Sequence, residues 1–501
     1  MTANFYALVE ARRPAEHEAP LLEADDGTVW SHRAIADLSG RIARALETGG
    51  ANRGDRVAAQ VDKSPEALAL YLACLRSGLV YLPLNTAYQP AEIECFLGDA
   101  APAVFVCRPE SADVLHGAAK AARVRSMFTL DATGGGSLLD AAADRDPHFP
   151  TVEARPEDLA VLIYTSGTTG RSKGAMVTHG NLAANGEALV DAWGFTASDV
   201  LLHALPMFHI HGLFIATHCV LLAGARMLFH SRFEARQVLH DLPRATVFMG
   251  VPTFYTRLLA EEDFKAGAAP NVRLFVSGSA PLLIETFTAF EARTGRRILE
   301  RYGMSESGII TSNPLDGERR GGTVGKPLRD VQVRIADGGD RLLEQGAVGG
   351  VQIRGPSVFK GYWNLPEKTR EEFTADGWFR TGDVGCFDRD GYLSIVGRAK
   401  DLIITGGYNV YPKEIELELD ALPGVAESAV IGVPHPDFGE AVTAVVVASP
   451  AARPDEAALI AALKSRLAGY KVPKRVVVVD DLPRNAMGKV QKNVLRERYG
   501  R

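Results

Sequence analysis

Sulfur is sparse in this chain. Five cysteines, Cys74, Cys95, Cys107, Cys219 and Cys386, are scattered through 501 residues without a CxxC pair or a Cys/His ligand spacing. That excludes a disulfide scaffold and a zinc module, and predicts free thiols packed as small apolar groups in a reducing cytoplasm. Charge of one sign is lacking too. A formal net charge of −6 supplies no global field for nucleic acid or an acidic membrane, so an anionic ligand must be held by individually placed lysines and arginines. The opening "MTANFYALVEARRPAEHEAP" has no charged-then-apolar leader, and export is not expected. Long apolar runs are missing as well: "LLHALPMFHIHGLFIATHCVLLAGARMLF" is broken by Pro206 and several histidines, which argues against a membrane helix. No internal repeat or low-complexity linker is found.

What is present is the patterning of a globular α/β chain too long for one core. "SHRAIADLSGRIARALETGG" sets Ile35, Leu38, Ile42 and Leu46 at helical spacing before a glycine pair. "RVAAQV", "SPEALALYLACLRSGLV" and "VYLPLN" then read as strand, helix and strand, a βαβ unit that favours a parallel sheet. Further buried-strand runs are "PAVFVC", "LAVLIYT", "ATVFMGVP" and "VRLFVSGS". From about Gly321 the texture turns to short strands and tight turns, predicting a β-rich subdomain over about 321–399. After "GRAKD" helices and strands alternate again, which predicts a large N-terminal domain over 1–399 and a small α+β domain over 400–501.

Chemistry concentrates first in "YTSGTTGRSKGA". A glycine-rich turn lets backbone N–H groups converge on phosphate oxygens, while Thr165, Ser166, Gly167, Thr168, Thr169, Gly170 and Lys173 supply further donors and close approach. The segment is not a Walker P-loop, since Ser172 precedes Lys173 and Gly174 follows it.

Together with "LPMFHIHG", "SGSAP", "ERYGMSES", "GYWNLPEKT", "DGWFRTGD", "GRAKDLIITGGYNVYPKEIE" and "PRNAMGKVQK", in this order and over nearly the whole chain, the loop resembles the signatures of the adenylate-forming superfamily of acyl-CoA synthetases, luciferases and adenylation domains. That resemblance implies an AMP-binding N-terminal domain, a mobile C-terminal domain, and ATP, Mg²⁺ and coenzyme A as reactants. It assigns the nucleotide to the phosphate loop, Ser279, Ala280, Glu300, Arg301, Tyr302, Gly303, Met304, Ser305, Asp383 and Arg398. Tyr302 is the surface for adenine, Asp383 the ribose clamp, Glu306 the metal-holding acid, and Lys489 the catalytic cation. Lys400 is the implied hinge; Gly406, Gly407 and Tyr408 line the coenzyme A approach, and Lys471 and Lys474 are possible contacts for its phosphates.

The acyl pocket falls on His209, Ile210, Arg257, Arg301 and Met304, with His209, at its gate, counted among the catalytic residues beside Lys489 and Glu306. Arginines beside a fatty or aromatic tail would be unpaired charges, whereas they suit an acid with a second carboxylate. "GVPTFYTR", "ERYGM", "TSNP" and "GKVQKNVLRE" are similar to the malonyl-CoA synthetases, which implies malonate as the acid. Ser305, Ser307 and Ile210 depart from that family's usual residues and bear on C2-substituted malonates. A ligase for another short acid, methylmalonate or a small monocarboxylate, and a nucleotide-binding sensor without chemistry stay open. The expected partners are small molecules, with neither nucleic acid nor membrane, on a monomer or homodimer.

Overall fold

A computed structural model describes residues 2–165, 172–405, 408–449, 454–485 and 488–500. Among these residues the strands form four sheets. The βαβ pattern produces a sheet in the order Ser126–Thr129, Val104–Cys107, Arg56–Gln60, Val80–Pro83, Leu159–Thr165 and Lys173–Thr178, parallel except for its last pair. Its helix Pro65–Arg76 starts on a Ser64 cap that accepts from Ala67 N–H, and it is buried nearly all round because it lies between layers. A second, larger sheet runs through Leu299–Met304, Leu274–Ser277, Val247–Gly250, Val200–His203 and Arg226–Phe229, all parallel in the pairs that join them.

The β-rich texture after Gly321 becomes an antiparallel sheet of Gln332–Ala336, Gly349–Arg354, Phe379–Phe387 and Leu393–Arg398. The last sheet pairs Ile403–Thr405, Gly439–Ala448, Val425–His435 and Arg475–Val479 around its own apolar core of Ile415, Leu419, Val430, Val446 and Leu463. Helices Pro412–Asp420 and Glu456–Lys464 cover it. No helix among the described residues is long and apolar enough to cross a membrane. The apolar region after Leu201 instead divides into a strand, a π-turn at His211–Ala216 and the helix Thr217–Ala223. All five cysteines are free thiols, but the expectation that they are packed away fails for Cys95, which is exposed on the outer side of helix Pro90–Ala100.

Candidate active site

Parallel strands bring their carboxyl ends, and the loops that follow, to one edge of a sheet, where ligands of open α/β folds bind. Here that edge collects His203 and the "HIHG" turn, Gly250, the Ser277–Pro281 loop and Glu300–Met304. Ser279 holds φ +71°, a conformation uncommon for a residue with a side chain, and its hydroxyl lies 3.2 Å from His211 Nδ1. Glu300 braces the same loop by accepting Leu282 N–H at 3.1 Å, and burial raises its carboxyl to about 7.

Arg301 is 4% exposed, and neither its Nε nor one terminal nitrogen has a partner. Burial pulls this guanidinium down to about 9. Its plane presses on Gly278, where an added Cβ would sit 2.4 Å from Cζ, so the glycine admits the arginine. Burial, and then the Arg301 charge, hold His209 down at about 4; His211 is lowered by the same causes, and its Nε2 is buried without a partner. A guanidinium with idle buried donors, next to an imidazole nitrogen that is also buried without a partner, is what an anion would fill. Arg257, in contrast, is exposed on helix Pro252–Ala260, one turn beyond Thr253.

The turn between Leu299–Met304 and Gly308–Ser312 carries Glu306. Asn185 clamps the strand that follows, donating to Ile309 O at 2.9 Å and accepting Ile309 N–H at 3.1 Å. Glu306 is 6% exposed and accepts from Tyr362 at 3.1 Å and from Thr165 at 3.4 Å. It forms no ion pair among the described residues, and burial raises its pKa. A buried carboxylate whose side-chain hydrogen bonds come only from hydroxyls has the hard-oxygen chemistry that suits a divalent cation bridging to phosphate. Lys173 stands alongside, 3.5 Å from Glu372 and 4.6 Å above the Tyr362 ring.

Opposite, Asp383 and Arg398 are register partners on neighbouring strands and pair at 2.9 Å. Tyr302 donates its hydroxyl to the other Asp383 oxygen. The tyrosine expected only as an adenine platform therefore also orients the carboxylate expected to bind ribose. Tyr362, Glu372 and His211 were missed as site residues. Tyr362 and His211 stood in quoted motifs, yet nothing in their spacing distinguishes them from core aromatics.

Lys489 arrives on a tight turn. Asn485 N–H donates to Lys489 O and Asn485 Oδ1 accepts Lys489 N–H, both at 3.0 Å, while Arg484 ties Gly488 O at 2.6 Å and pairs with Glu427. A Cβ added at Gly488 would sit 3.4 Å from the Thr253 side chain of the large domain, so this turn lies close against that domain. The residue as a whole keeps an exposed surface, but the cleft strips water from its ammonium, and with Arg398 this lowers it to about 8. Asp383 and Asp401 act on it in the opposite sense. Lys400 lies in the turn Ala399–Asp401, whose Asp401 anchors the terminal helix through Arg496 at 2.8 Å. The structure thus gathers Lys489, Asp383 and Arg398, and leaves Tyr408 58% exposed, stacked on Tyr470 at 4.6 Å. Lys471 is paired with Glu414 at 2.5 Å, and Lys474 lies over Phe438. Ser166, Gly167, Thr168, Thr169, Gly170, Gly406 and Gly407 lie outside the described residues.

A cleft at the strand ends, roofed by a small domain that lowers one lysine onto a carboxylate and an arginine, is the site of an adenylate-forming enzyme. The chain belongs to that class: residues 9–363 match the AMP-binding enzyme family and residues 414–489 the AMP-binding enzyme C-terminal domain. It is 51% identical to MatB from Rhodopseudomonas palustris, whose ATP-bound crystal structure superposes with a TM-score of 0.98, covering 100% of this chain and 99% of that one. The apo MatB structure superposes at 0.87. Among curated relatives, the malonate–CoA ligase of Arabidopsis thaliana is 37% identical over 91% of this chain and 80% of its own length. The sulfoacetate–CoA ligase of Cupriavidus necator is 36% identical over 97% and 96%.

Proposed function

We propose that this protein is a cytoplasmic malonate–CoA ligase that converts malonate, ATP and coenzyme A to malonyl-CoA, AMP and pyrophosphate. The observation that carries the choice of acid is Arg301, a buried guanidinium with idle donors beside two histidines held neutral. A site of that kind suits a second carboxylate and penalises an apolar tail. Both relatives named for their acid act on a small acid with an anion at its far end, which supports the same reading.

In the first half-reaction one malonate carboxylate attacks the α-phosphorus, forming the acyl-phosphate bond as the bond to pyrophosphate breaks. Two anions meet there, so Lys489 neutralises charge shared between the attacking oxygen and the phosphoryl group, and Arg398 and Asp383 fix the ribose end. Glu306 would hold Mg²⁺, which when bound offsets phosphate charge. Rotation about Lys400 then withdraws Lys489 and brings up the segment around Tyr408, so the coenzyme A thiol attacks the acyl carbon and AMP leaves. In the second step the thiol proton passes to solvent.

The test is a panel of malonate, methylmalonate, sulfoacetate, acetate and butyrate, scored by acid-dependent pyrophosphate release and by mass of the thioester. Malonate is expected to give the highest kcat/KM. A better rate with acetate or butyrate would refute a diacid site, and pyrophosphate release independent of acid would refute the ligase.

Lys489 also gives a pH signature. Its ammonium, lowered from 10.5 to about 8, is the charged form below that value. For the free enzyme, kcat/KM for ATP is therefore expected to fall as pH rises through about 8. Bound polyphosphate raises the ammonium again, so kcat holds to higher pH. A kcat/KM profile flat to pH 10 would contradict this.

A further inference from the structure

Lys63 belongs to none of the motifs above, yet it joins the two large sheets at His203, beside the "HIHG" turn. It leaves strand Arg56–Gln60 and, before helix Pro65–Arg76 begins, reaches His203 at the end of Val200–His203. Its Nζ donates to His203 O at 2.7 Å, lies 2.9 Å from His203 Nδ1, and sits 4.3 Å above the Phe229 ring. The Gly212 carbonyl can only accept, so the imidazole hydrogen resides on Nε2, and Nδ1 accepts from the Lys63 amine, which holds that tautomer from the other side. Nε2 is 3.0 Å from Gly212 O and donates to it.

The Gly212 carbonyl is the fixed point of the neighbouring turn. It also accepts Thr217 Oγ1 at 2.9 Å and the Thr217 N–H, the bond that closes the π-turn His211–Ala216. On the other side, an added Cβ at Gly212 would lie 2.1 Å from Pro206 O, so the segment has no room to shift. His211 begins this turn, with Nδ1 on Ser279 and Nε2 idle near Arg301. π-Turns of one coil concentrate at functional sites because they re-aim a few side chains without ending the helix. With the opposite His203 tautomer, a lone pair would face the Gly212 carbonyl and the turn would lose its anchor.

We infer that Lys63 is a positioning residue for acid specificity: it fixes the His203 tautomer that pins Gly212 O, and so sets the angle at which His211 faces the acid beside Arg301. This rests on the proposed malonate reading, which is tested separately on the unaltered protein by the acid panel. If acetate proves the better substrate, that reading fails, and the Lys63 series is measured with the best acid instead.

The experiment compares the unaltered protein, Lys63→Met, His203→Gln and the double variant by acid-dependent pyrophosphate release, with melting temperatures recorded. Lys63→Met is expected to raise the KM for malonate about tenfold, the size of one lost buried hydrogen bond, with the KM for ATP within about twofold. A glutamine amide carries its N–H without needing a proton partner, so in the His203→Gln background Lys63→Met is expected to change the malonate KM less than about twofold. An unchanged malonate KM in Lys63→Met, a proportional rise in the KM for ATP, or an undiminished effect in the double variant would each overturn the inference. Should Lys63→Met fail to fold, Lys63→Gln, which retains one donor, is held to a malonate KM within about threefold of the unaltered protein; a larger rise overturns the inference.

Discussion

Lys489→Ala is expected to slow malonate-dependent pyrophosphate release by about 10²–10³-fold, the loss found when one preorganised donor is removed from a charge-developing transition state. Thioester formation from supplied malonyl-adenylate and coenzyme A is expected to stay within about threefold, because Lys489 makes no contact used in that step. The split follows from where the lysine lives. It stands on a hairpin of the small domain that lies close to Thr253 of the large domain, and the proposed rotation about Lys400 would withdraw it once the adenylate has formed. Stopped-flow release of pyrophosphate and mass detection of the thioester read the two halves independently. Equal loss of both would mean that Lys489 serves the fold or the nucleotide rather than the first transfer.

Arg301→Met carries the second large effect. Replacing the guanidinium by an apolar chain is expected to lower kcat/KM for malonate by about 10²–10³-fold, as for one partner removed from a buried hydrogen-bonded charge pair. Acetate, which has no distal carboxylate to lose, is expected to be used no worse than before. Stability is a second readout. In the unliganded protein Arg301 is a buried cation whose Nε and one terminal nitrogen lack partners, so methionine is expected to leave the melting temperature unchanged or raise it. Most substitutions of well-packed buried residues do the opposite. Should Arg301→Met reduce malonate and acetate turnover equally, the guanidinium would belong to the nucleotide instead. Arg257→Ala is expected to have the smaller effect, since that residue begins exposed and has little desolvation to recover on binding.

The two domain types and most strands were legible because their patterns are local. Ser64 before Pro65 marks a helix start wherever it occurs, and short apolar runs such as "VFVC" and "LFVS", Leu274–Ser277, must be buried on both faces. The site was legible only as an ordered set of motifs. Their sequence order says nothing of which side chains converge, and it assigned Arg257 and Arg301 the same place. Burial separates them, with one arginine wedged against Gly278 and the other on an exposed helix face.

By itself, then, the sequence determined the chemistry available: a donor-rich loop, a metal-compatible acid, a carboxylate for the proposed ribose contact, and the lysine of the last motif. It also determined the local elements that carry them, since capping, periodicity and turn residues act over a few positions. Only the tertiary structure decided that Tyr302 orients Asp383, that Lys489 comes within electrostatic range of that same carboxylate, and that Lys63 and His203 pin the Gly212 carbonyl. Those are interactions across 81, 106 and 140 residues, and hydrogen bonding, charge–charge interaction and desolvation depend on distance in space, which spacing along the chain does not encode.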